Sequence, residues 1–239
     1  MNAPDNAKRE KLMRILEALF AKADPTRGGT EAECKAAIEK AHELMTKHGI
    51  EEAELGRKPE ASDIVCHQHK HPHEEKARYR SIYHVLVTMT GIKCVRSWHY
   101  VGNDKCYMML LFGLQADIDM ALFLFDPIDH MMHRMPAVRA REQGVPNDRA
   151  FRNAYYEGAM TGILEANHKV EEKVKASCTA AAQQSWGLVV AKKGELITKH
   201  IQEAIKTKPG RATSRKTCGD GRSAGYRDGK NLSLKKALQ

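Results

Sequence analysis

Apolar residues recur along this chain with two periods, one near 3.6 residues and one of two. Leu12, Ile15, Leu16, Leu19 and Phe20 fall at i, i+3, i+4, i+7 and i+8, a single stripe on a helix from about Lys8 to Ala23. Asp24-Pro25 ends that helix, because the residue before a proline avoids the α region. Arg27-Gly28-Gly29 is turn chemistry. Thr30-Glu31-Ala32-Glu33 reads as a capping box that opens a second helix. Cys34, Ala37, Ile38, Ala41, Leu44 and Met45 line one face of it, and Gly49 closes it. The pattern predicts a helical hairpin domain over residues 1–56, with Leu16 and Leu44 in its core.

A polar linker follows, and Ile64-Val65-Cys66 reads as a short strand. Glu74 to Thr90 is helical, with Tyr79, Ile82, Tyr83, Leu86, Val87 and Met89 as its apolar face and Gly91 as its stop. Two strands, Ile92 to Tyr100 and Lys105 to Leu114, flank the turn residues Val101-Gly102-Asn103-Asp104. A tight turn at Gly102-Asn103 sets Trp98 opposite Tyr107, Val95 opposite Leu110 and Cys94 opposite Leu111. The Trp98–Tyr107 pair is first a cross-strand packing pair; exposed, it would be a surface on which bases stack. Gln115 to His133 is a strongly apolar helix with Asp117 and Asp119 in its first turn, and Pro127 kinks it or starts a second segment. Pro136 to Pro146 reads as a basic loop. Asn147 or Asp148 starts a long helix to about Ser177, in which Gly158-x-x-x-Gly162 permits close helix contact. Thr179 to Lys206 is one more helix or two, since Gly187 and Gly194 interrupt it. The fold class is therefore α+β, mostly α: a helical hairpin, a central α-β-β-α unit within an α+β domain at 64–206 (β-hairpin 92–114), and C-terminal helices with a basic tail.

Composition changes the picture at the C-terminus. The 239 residues carry 39 Lys and Arg against 30 Asp and Glu, a formal charge of +9. From Lys206 onward ten basic residues face two acidic ones, a balance of +8. Residues 207–239 are also poor in apolar side chains, so they are expected to form a basic, partly disordered tail. Gly221, Gly225 and Gly229 recur every four residues there; on a helix they form one small face able to approach another helix or a phosphate chain. Excess positive charge points to a polyanion. The six cysteines contain no C-x-x-C pair, which predicts free thiols and a cytoplasmic setting, in a bacterial or infected host cell. No run of about 18 apolar residues marks a membrane span, and no signal peptide is expected.

Lys11-Leu12-Met13-Arg14-Ile15-Leu16, then Glu31-Ala32-Glu33, then the run from Ala41 to Ile50 (Ala-His-Glu-Leu-Met-Thr-Lys-His-Gly-Ile) resemble the opening domain of a bacterial and phage family. It is domain-of-unknown-function family 2786. The likeness covers roughly residues 8–50, and Leu-Met-x-Lys-His-Gly-Ile is its most distinctive part. Phe112-Gly113-Leu114 followed by Asp117 and Ala121 is similar to the region that follows that domain. The resemblance implies a lineage and a phage or prophage origin. It carries no assigned activity.

No P-loop, G-x-S-x-G, H-E-x-x-H or dinucleotide fingerprint occurs. His67, His69, His71 and His73 alternate, so in an extended chain they share one side, a geometry able to chelate zinc or nickel; Pro72 and Lys70 favour a polar loop. His130 and His133, with Asp126 and Asp129, are the best constellation for a metal-dependent hydrolase, but they also suit the polar edge of an apolar helix. The site list therefore has no catalytic residue, no metal ligand and no cofactor. The function expected is a nucleic-acid-binding accessory protein, DNA ahead of RNA, without enzymatic activity. Its binding residues would be Lys208, Arg211, Arg215, Lys216, Arg222, Arg227 and Lys230. Two alternatives stand beside it: an inhibitor or adaptor that binds a host protein, and a metal-dependent nuclease.

Overall fold

A computed structural model of the chain describes residues 60–71, 76–101, 104–206 and 218–231, together with the helical positions 11, 14, 15, 18, 40, 43, 44 and 47. Of the first apolar stripe, Ile15 is among these, and it is 38% exposed. Leu44 is half-buried rather than fully buried, while Leu16, Cys34 and the capping box lie outside the described residues.

The protein is mostly helical, with one three-stranded antiparallel sheet. A 3-10 turn at Ala61–Asp63 leads into β1, Ile64–His71. Helix α1, Lys76–Thr90, follows, and then β2, Lys93–Val101, and β3, Asp104–Leu114. The strand order is β1-β3-β2. The β2–β3 register places Trp98 opposite Tyr107, Val95 opposite Leu110 and Cys94 opposite Leu111, as the turn residues predict. The histidine run is not a loop. It extends β1 to eight residues paired along β3, from Ile64 opposite Leu114 to His71 opposite Tyr107. The central unit is thus β-α-β-β-α, and the alternation of inward and outward residues along β1 survives the whole run.

Helix α2, Gln115–Glu142, passes through Pro127 and Pro136 without ending. The basic loop expected from Pro136 is helical as far as Glu142. Each proline removes one backbone donor, but the buried row Met131, Met132, Met135 and Ala140 continues the 3.6-residue period and holds the helix on the core. Helix α3, Arg149–Ala176, is capped by Asp148, whose carboxylate accepts from the Phe151 amide at 2.8 Å. Helix α4, Ala180–Ala204, is continuous across Gly187 and Gly194.

One face of the sheet packs on α1 and α2, around Ile82, Leu86, Leu111, Ile118, Ile128 and Met132. The other is covered near Ile64 and Phe112 by Ile197 and Ile201 of α4. Lys193 fastens α4 to the first layer: its ammonium lies 3.0 Å from the Asp117 carboxylate and 3.4 Å from the Thr90 carbonyl at the end of α1. That position also suits the negative end of the α1 dipole. Cys66, Cys94, Cys178 and Cys218 are free thiols.

Of the segment expected to be a basic, partly disordered tail, Gly219–Lys230 is a further helix, α5, packed into the fold, while residues 207–217 and 232–239 lie outside the described residues. α5 lies along α3, running in the same direction. A Cβ added to Gly158 or Gly162 of α3, or to Gly221, Gly225 or Gly229 of α5, would fall less than 3 Å from the partner helix's backbone. Glycine at these five places lets the two backbones touch. The low hydrophobicity that suggested disorder is the signature of an interface built from backbone rather than from large side chains.

Candidate nucleic-acid interface

With its glycines turned toward α3, α5 presents Arg222, Arg227 and Lys230 on its other arcs. Asp228 points inward. It accepts from Arg139 Nε of α2 at 2.8 Å and from the Tyr155 hydroxyl of α3 at 2.7 Å, and it also meets Arg139 Nη2. Only a small part of either charged side chain is exposed. Asp228, first with its hydrogen bond, holds the Arg139 guanidinium well above its ordinary pKa, against the cost of burial. Arg139 and Asp228 therefore fix the rotation of α5 and with it the direction of its cations.

Those cations are not equivalent. Arg222 reaches Glu157 of α3 at 2.7 Å. Lys230 lies 3.2 Å from Glu165, which also meets the Tyr226 hydroxyl. The bonds from Lys169, Tyr226 and Lys230 hold the Glu165 carboxyl down at about 2, and Tyr226 and Glu165 in turn raise the Lys230 ammonium. Lys230 is thus committed to α3. Arg227 is exposed, and no partner for it is found among the described residues. Lys208, Arg211, Arg215 and Lys216 lie outside the described residues. Arg211, Arg215 and Lys216 precede Cys218 by seven, three and two positions in the sequence.

Arg222 has company that was not expected. A pocket of roughly 330 Å³ between α1, α3 and α5 is lined by Arg80, Ser81, His84, Glu157, Met160, Thr161 and Arg222. Arg80 and His84 are exposed on α1, and Glu157 is the sole acid of this lining. Two guanidiniums and an imidazole around one concavity can take an anionic oxygen group, with Arg supplying bidentate donors, while the Ser81 and Thr161 hydroxyls donate to the Ala77 and Glu157 carbonyls of their own helices.

The sequence carries a signal for these residues that counting the tail missed. From Lys76 to Val101 there is no Asp or Glu, against Lys76, Arg78, Arg80, Lys93 and Arg96. Arg78 is spent internally, 3.0 Å from Asp129, and Lys93 donates to the Thr198 hydroxyl. Arg80 and Arg96 are left outward.

The histidines of β1 do share one face, as their alternation predicts, but that face is the core. His67 and His69 have ring centroids 6.5 Å apart, and His69 and His71 4.4 Å. His71 stacks on Tyr79 at 4.1 Å and on Phe125 at 5.2 Å. The Tyr83 hydroxyl bridges His71 Nε2 and His69 Nδ1, the latter at 2.8 Å. Burial first, then His69 and Arg78, push the His71 imidazole down to about 3. His73 lies outside the described residues. The Arg78 guanidinium of α1 stands between Asp129 and His133 Nδ1 of α2, a cation where a metal would need empty space. Among the described residues no three His, Cys, Asp or Glu side chains converge as a metal site requires.

Among the described residues no helix is long and apolar enough to cross a membrane. No curated protein matches the chain, and no solved structure matches it. The resemblance of the opening segment is met by a family model: residues 14–52 match the family described as protein of unknown function (DUF2786).

Proposed function

We propose that the protein binds nucleic acid, DNA ahead of RNA, as an accessory factor without catalysis of its own. The observation that carries this is the convergence of Arg80, His84 and Arg222 on one pocket with a single opposing carboxylate. The covalent attachment of Arg211, Arg215 and Lys216 just before that helix adds to it. Such a cluster contacts phosphate, which sets affinity and register and reads no sequence.

Log affinity is expected to fall linearly with log salt, by about 0.9 per phosphate contact on duplex DNA and about 0.7 on single strands. Replacing Arg211, Arg215 and Lys216 by Ala should make the slope shallower by up to about three units and leave the melting temperature unchanged. Arg80→Ala should remove about one more. A protein with no affinity at low salt, or with affinity indifferent to all four residues, would overturn the reading.

The second reading, an adaptor for a host protein, draws on one observation. Leu188 and Val190 in the first half of α4 are 65% and 40% exposed. A host protein that co-purifies after nuclease treatment, and is lost on Leu188→Ser, would favour it.

A further inference from the structure

We infer that the nucleic acid is held with unpaired bases, stacked on the outer end of β2. This rests on the nucleic-acid reading above and adds a substrate class to it. β2 is an edge strand, and Arg96, Trp98 and Tyr100 alternate along it, so they stand on one face. Cys94 and Trp98, on that same face, pack against the core. Arg96, between them, is nevertheless exposed, and past Trp98 the strand runs clear of its cover: Tyr100 is 67% exposed, the most exposed of the large apolar side chains described. The Arg96 guanidinium carbon lies 5.9 Å from the centre of the Trp98 ring. Trp98 thus braces the Arg96 guanidinium on one side and is followed by the Tyr100 ring on the other, so a planar charged group and an open aromatic ring flank it along one face of the strand.

A surface of this kind selects by stacking. Guanidinium planes and exposed aromatic rings accept the π-face of any base, largely without regard to sequence. In a duplex those faces are already covered by neighbouring base pairs, so only an opened or single strand can use the platform. Charge points to the same occupant. The strand lies in the acid-free stretch from Lys76 to Val101. A phosphate chain finds no carboxylate on this strand to repel it. An apolar protein partner would leave the Arg96 charge unanswered.

The test is a titration of the full chain with a labelled 20-nucleotide single strand and with its duplex, at one low salt concentration. The parent should favour the single strand. Tyr100→Ala should cost single-strand affinity about five- to 150-fold, the range for one lost base stack, and leave duplex affinity and melting temperature unchanged. Arg96→Lys keeps the charge and loses the plane, so it should weaken the single strand and spare the duplex. Equal affinity for both forms, with neither variant selective, would overturn the stacking inference and leave the phosphate reading standing. No affinity for either form would overturn both.

Discussion

His71 shows how one residue can be chosen for its neutral form. It is buried among Tyr79, Tyr83 and Phe125, and burial, His69 and Arg78 bring its folded pKa to about 3. In the unfolded chain the same imidazole titrates near 6.5. The folded state therefore refuses a proton that the unfolded state accepts. The stability His71 contributes is fully present above pH 6.5 and is lost as pH falls from there toward 3, by up to about 1.4 kcal/mol per pH unit for one proton. Urea unfolding at pH 7.5, 6, 5 and 4 should show this slope. His71→Phe, which keeps an aromatic ring in the stack and cannot be protonated, should have a shallower slope over the same range. Parallel slopes for the two proteins would mean that His71 is protonated without cost in the fold. The same burial gives His69 and His71 a packing role in the core.

At the scale of elements, the contact between α3 and α5 sets what the rest can do. Small-residue faces at i and i+4 bring two helical backbones together, and the oriented pair Arg139–Asp228 fixes their rotation. Gly225→Ala would drive a Cβ into the Tyr155 carbonyl. The helices would have to part, at about 1–3 kcal/mol or more. Gly187→Ala in α4 is the control, since a Cβ there meets nothing within 4 Å. It should stabilise by about 0.5–1 kcal/mol, because alanine suits a helix interior better. Opposite signs in thermal or urea unfolding are the expected result. If Gly225→Ala were neutral or stabilising, the two backbones would not be in contact.

At the scale of the molecule, the charged residues divide between those engaged in the fold and those that face outward. Lys230 and Asp228 are engaged within the helical body, while Arg80, Arg96 and Arg227 face outward. Removing residues 207–239 is thus not a neutral way to delete cations. It uncovers the glycine face of α3 and leaves Arg139 partly buried without Asp228, and loss of one partner of a buried pair costs about 3–5 kcal/mol. The truncated chain should melt well below the parent and with a broader transition. An unchanged melting temperature would show that α5 adds nothing to the fold. Point substitution of cations is the measurement that separates binding from stability.

Periodicity alone was enough for the helices and the hairpin register. A side-chain period of 3.6 or 2, caps such as Asp148 and Thr179, and a two-residue turn are local, and local physics decides them. The resemblance of the opening segment was likewise legible in its own run of residues, of which 14–52 are matched by a family model. The histidine strand and the passage of α2 through Pro136 were not legible, and of α5 only its small-residue face was, because each is settled by a partner distant in sequence. β1 is a strand because β3 offers it a ladder, and α2 continues because its methionines are already in the core. α5 is ordered because Gly158 and Gly162, some sixty residues earlier, leave room for it. The candidate interface divides the same way. Its charge was countable along the chain, but only packing could decide that Arg222 joins Arg80 and His84 while Lys230 is held by Glu165.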